Sequence, residues 1–146
     1  MDAHKINLVQ ESFERVVALD VKAAELFYAE LFAIDPSLRS MFNGAMQDQY
    51  KKLITALTLV VRSLHAPEKI LNTVEKLAVK HLDYGVMPEH YTYVGNALLR
   101  TLKKALGSEF TPELCDAWTD AFRTLARVMK EAAYVRPAPV KIRSAG

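Results

Sequence analysis

The chain has 146 residues, enough for one domain with a single substantial core. With 51% hydrophobic and 25% charged residues it has an ordinary globular composition, and a formal net charge of +2 is too small to imply a nucleic-acid or membrane-surface partner. The single cysteine, Cys115, excludes an intrachain disulfide and fits a reducing compartment, so a cytoplasmic location is expected. The opening stretch MDAHKINLVQ shows no secretory signal, and no run of about 18 apolar residues offers a membrane span.

Helical periodicity dominates from the first residues onward, and no alternating strand run is present. Ile6, Val9, Phe13, Val16 and Val17 share one face of a first helix, which breaks at Leu19-Asp20. Ala24, Phe27, Tyr28, Leu31 and Phe32 share a face of a second. Asp35-Pro36 reads as a cap followed by a first-turn proline, opening a short helix that ends near Phe42, before an Asn43-Gly44 turn. A long helix is predicted from about Gln47 to Leu64, with Leu53, Leu57, Val60 and Leu64 in register. Ala66-Pro67-Glu68 restarts the chain into a stripe of Ile70, Val74, Leu77, Ala78 and His81. Residues 82–87, with Gly85, read as a loop, and Pro88 is expected to open a helix carrying Tyr91, Val94, Leu98 and Leu102 up to a stop at Gly107. Thr111-Pro112-Glu113 is a helix start by cap, proline and dipole-favoured acid. The last helix carries Leu114, Trp118, Ala121, Leu125 and Met129, with Trp118 expected in the core. The reading is one domain over residues 1–134, then a disordered basic tail over 135–146.

Chemistry has few candidates. His4 lies near a fraying terminus, His65 beside a break, and His90 in a first helical turn, where a cation is disfavoured. His81 extends an apolar stripe at i, i+3, i+4 and i+7 spacing, and an imidazole so presented can ligate a metal. Alone, such a histidine is more often a satisfied core residue. Gln49 and Leu53, one turn apart, face the same space, with Phe42 nearby in sequence and Tyr28 on the Phe27-Leu31 helix. Singly, each of these has an ordinary structural explanation.

Together they match a pattern. ELFYAELFAIDPSLRSMF (25–42), LAVKHLDYGVMPEHYTYVGNALL (77–99) and DAWTDAF (116–122) resemble the bacterial single-domain globins and the globin domain of flavohaemoglobins, and the resemblance runs from about Asn7 to Ala132. It implies an all-α globin fold of about seven to eight helices around one b-type haem (iron protoporphyrin IX). By that resemblance His81 is the proximal iron ligand, and Phe42 packs on the haem face. Tyr28 and Gln49 are the distal polar pair, and Leu53 is the apolar residue above the iron. Lys80 lies near a propionate and Tyr91 near the histidine, while Val86, Val94 and Leu98 are apolar porphyrin contacts.

The implied function is reversible binding of oxygen, with nitric oxide and carbon monoxide as further ligands. The Tyr28 hydroxyl and Gln49 amide are neutral donors that slow oxygen release. A glutamine does not close the sixth iron position as a distal histidine can, so an open ferrous site is expected. With a separate reductase the same site would oxidise nitric oxide to nitrate, since no flavin or nicotinamide domain is expected in this length. The proximal glutamate of flavohaemoglobins falls at Ala133, and Glu131 lies about 200° around the helix from it, so weak peroxidase chemistry is expected. Two alternatives stay open: an oxygen carrier or ligand sensor without turnover, and a haem-free helical bundle serving protein interaction.

Overall fold

In the computed structural model residues 2–42, 44–83 and 86–132 are described, and every regular element among them is helical. The α-helices are α1 (Ala3–Val17), α2 (Val21–Ile34), α3 (Met46–Arg62), α4 (Pro67–Asp83), α5 (His90–Leu106) and α6 (Pro112–Lys130). Short 3-10 helices cover Pro36–Met41 and Gly107–Glu109. Side-chain caps explain several starts. Asp2 accepts from the Lys5 N–H at 2.8 Å, Asp35 from Ser37 at 3.0 Å and Thr111 from Leu114 at 3.2 Å, each satisfying an orphan first-turn donor. α5 stops at Gly107, whose φ of +59° suits a residue without a Cβ.

Three expectations shift. The segment after Asp35 is 3-10 rather than α-helical, a tighter winding common in short connectors. α4 continues to Asp83, two residues into the expected loop. α5 begins at His90 rather than at Pro88, because Pro88-Glu89 form a turn and the His90 Nδ1 accepts the Met87 N–H at 2.9 Å. His90 thereby caps its own helix through its ring nitrogen. Asn43, Gly85, Ala133 and the 135–146 tail lie outside the described residues.

α1 and α6 cross through the largest core cluster, which holds Val9, Phe13, Val61, Leu102, Leu114 and Trp118. Trp118 is 3% exposed, and its indole N–H donates to the Ser12 hydroxyl at 2.9 Å, so this core tryptophan leaves no buried donor unmet. α2 lies along α5 and is clamped by Glu30, a nearly buried carboxylate bonded to Lys104 and 3.9 Å from Arg100. α5 meets α6 closely at Gly95, where an added Cβ would stand 2.7 Å from the Phe122 ring. α5 contributes residues to all three clusters, including the two that carry the candidate site residues.

Candidate functional site

Two clusters hold the site residues. The first joins α2, α3, α5 and the 3-10 turn after Asp35. It packs Phe27, Tyr28, Leu31, Leu38 and Ala97 with Phe42, Leu53, Val94 and Leu98. Tyr28 is 5% exposed, and its hydroxyl accepts a hydrogen bond from the Gln49 amide at 3.1 Å. Aromatic rings surround it: Phe27 at 5.1 Å, Phe42 at 5.3 Å, Tyr50 at 5.8 Å and Phe32 at 5.9 Å between centroids. Burial among these rings pushes the Tyr28 hydroxyl above the usual tyrosine range, against a smaller opposite pull from the Gln49 hydrogen bond. Tyr28 is therefore a neutral hydroxyl whose oxygen is already engaged as an acceptor, leaving its proton as the group to offer.

The second cluster joins α3, α4, α5 and α6 through Val60, Val74, Ala78, Tyr91, Ala126 and Met129, with Leu77 and Val86 packed against it. His81 follows on the same face of α4 and is half-buried. Its Nδ1 lies 2.7 Å from the Leu77 carbonyl oxygen. A carbonyl only accepts, so Nδ1 donates here, which leaves Nε2 as the ring nitrogen that can ligate a metal. The His81 carbonyl accepts the Val86 N–H at 3.0 Å, which ties Val86 to the end of α4.

Of the residues singled out in the sequence, Tyr28, Phe42, Leu53, Val94 and Leu98 share the first cluster, and Gln49 reaches it through Tyr28. Val86 and Tyr91 share the second, and Val86 is bonded to the His81 carbonyl. Lys80 stands exposed on α4. Glu131 is exposed, and Ala133 lies outside the described residues. Phe32 and Tyr50 complete the ring around Tyr28; the signal for Tyr50 was its place three residues before Leu53, on one helix face.

Among the described residues no group of three or more His, Cys, Asp or Glu side chains converges to hold a bare metal ion. One imidazole beside apolar clusters suits instead a metal that brings its own equatorial donors, as haem does.

The comparisons agree in one direction. The Globin family model matches residues 25–129. A flavohemoprotein of Xylella fastidiosa is 32% identical over 131 residues, which are 88% of this chain and 33% of that protein. One of Bordetella pertussis is 36% identical over 106 residues, covering 70% and 26%. The chain spans about a third of the length of these relatives. Among solved structures, an engineered carbene transferase made from a Rhodothermus marinus protein, itself described as a candidate nitric oxide dioxygenase, superposes with a TM-score of 0.84 at 26% identity. That match covers 100% of this chain and 99% of the other. A bacterial globin from Campylobacter jejuni, at 23% identity and a TM-score of 0.79 over 90% of this chain and 96% of that one, shares the fold. The all-helical architecture and the matched family model together make this chain a member of the globin family.

Proposed function

We propose that the protein holds one b-type haem through His81 and binds diatomic gases, oxygen first among them, against Tyr28 and Gln49. The observation that carries this reading is the Gln49-to-Tyr28 hydrogen bond inside an otherwise apolar, aromatic cluster. The half-buried Gln49 amide satisfies the buried Tyr28 oxygen as acceptor, so the Tyr28 proton is the group left to meet a polar ligand.

Bound ferrous haem supplies an open coordination position for a gas and one electron. The chain's residues do the rest. His81, oriented by the Leu77 carbonyl, would hold the haem iron through Nε2. Phe42, Leu53, Val86, Tyr91, Val94 and Leu98 wall the ring and keep water out. The exposed Lys80 ammonium serves a propionate. Gln49 occupies the Tyr28 oxygen as acceptor, which turns the Tyr28 proton toward the ligand. Each such donor is worth about 0.5–1.5 kcal/mol net, and more in a dry pocket.

With a reductase to restore the electron, the same site oxidises nitric oxide, as NO + O2 + e⁻ → NO3⁻. The likeness to flavohemoproteins and to a candidate nitric oxide dioxygenase supports that turnover. The test is rapid mixing of the haem-loaded, reduced, oxygen-saturated protein with nitric oxide. One nitrate and one ferric haem per protein are expected. Reversible oxygen binding without nitrate would leave a carrier or sensor.

A further inference from the structure

Behind the second cluster, α5 and α6 run antiparallel and leave a groove of about 430 Å³. Its floor exists because Gly95 admits the Phe122 ring against the α5 backbone, and the buried Tyr91 and Ala126 continue it. One wall is neutral and polar, from Thr92 and Asn96 of α5. The other is cationic: Arg123, Arg127 and Lys130 stand at i, i+4 and i+7 of α6, with Glu131 the one acid of the lining and Asp120, bonded to Lys5, near Arg123.

Among the described residues none of these three cations takes part in a salt bridge, whereas Lys5, Arg15, Arg62, Arg100 and Lys104 all do. Lys130 instead sits 6.0 Å from the Tyr91 ring centroid, which leaves its charge available at the groove edge. Arg127 and Lys130 lie in the last turn of α6, where positive charge complements the helix dipole. That accounts for their sign but not for an apolar trough running beside them.

We infer that the groove between α5 and α6 binds a small amphipathic carboxylate, with its apolar body on the Gly95-Phe122 floor and its anionic head at Arg123 and Arg127. The volume falls within the range of small-molecule sites, about 300–1,000 Å³. The concavity favours such a ligand over a protein surface, which needs a patch of about 800 Å² per partner. An apolar floor without a charged wall would take a neutral ligand, and a charged wall without the floor would take inorganic anions; the two together select a molecule with both parts.

The probe is decanoate, titrated calorimetrically below its micelle-forming concentration into the full haem-loaded chain. One saturable site is expected, with decanol binding at least tenfold more weakly. Arg123→Glu/Arg127→Glu weakens decanoate tenfold or more. Asn96→Trp, which fills the groove from an exposed position, abolishes binding with an unchanged circular dichroism spectrum. Saturation with carbon monoxide leaves the affinity unaltered, because the groove lies outside the Tyr28 cluster; loss of binding there would place the carboxylate at the haem and overturn the assignment. No binding, or equal binding by all variants, also overturns it. So does a dimer in sedimentation that Arg127→Glu dissociates, which would give the groove to a second copy of the chain. Haem content, read separately by absorption, keeps this outcome distinct from the gas-binding proposal.

Discussion

The Tyr28 and His81 clusters solve a polar problem in opposite ways. Around Tyr28, two side chains from different helices bond each other within a ring of aromatic groups. Around His81, one side chain bonds a backbone carbonyl on its own helix, beside largely aliphatic neighbours. A side-chain pair is retuned by replacing either member. A backbone acceptor is present whatever residue stands at position 77. The Tyr28 region is therefore where ligand preference can vary, and the His81 region is where geometry is fixed.

The largest expected effect undercuts both regions at once. Trp118→Ala removes an indole packed against Phe13 and bonded to Ser12, and should cost about 3–5 kcal/mol in a denaturant titration. Normal stability would refute its core role and the rigidity assumed for both clusters.

The next effect belongs to the Tyr28 side alone. Tyr28→Phe should speed oxygen dissociation about tenfold or more, or about 1.4 kcal/mol, and change carbon monoxide dissociation less, because bound carbon monoxide is nearly neutral. Gln49→Leu should do less, since it removes a donor that acts partly by orienting Tyr28. The double variant should be non-additive, because the two groups share one hydrogen bond. Stopped-flow displacement of oxygen by carbon monoxide reads all four proteins, and equal rates would assign Tyr28 to the core.

The His81 side should respond differently. Leu77→Ala keeps the carbonyl that orients the imidazole, so oxygen dissociation should change less than about twofold even where stability falls. A neutral carbonyl also gives the ring less anionic character than a carboxylate would, so peroxidase turnover should be low. Ala133→Glu should raise it; wild-type turnover at the level of a dedicated peroxidase would contradict the assignment.

The smallest effect is a pH dependence. The native Tyr28 hydroxyl has a raised pKa, so between the unfolded value, about 10, and the native one the folded state binds the extra proton. Stability from this group is complete below about pH 10 and falls as pH rises through the native pKa. Tyr28→Phe should flatten that alkaline slope in equilibrium unfolding.

Much of this was legible because helices write their packing faces into period. Val9, Phe13, Trp118 and Val74 fall where the stripes put them. The 25–42 and 77–99 motifs name Tyr28 and His81 as candidates, while the Gln49-to-Tyr28 bond needed three dimensions, since its partners are 21 residues apart on separate helices. The His90 cap and the Glu30 clamp were not legible. The first depends on a ring nitrogen meeting the Met87 backbone, and the second on α5 lying along α2, neither of which leaves a periodic trace. The Tyr50 ring was not legible either, because its meeting with Tyr28 depends on how α3 packs on α2.

The central claim is that His81 alone anchors haem from the protein. Its most direct measurement is the absorption spectrum of the ferrous protein, with and without carbon monoxide, for wild type and His81→Ala. The wild type should show five-coordinate ferrous haem that converts fully on adding carbon monoxide, and His81→Ala should lose the haem or that spectrum. A His81→Ala protein with full haem content and an unchanged ferrous spectrum would contradict the account.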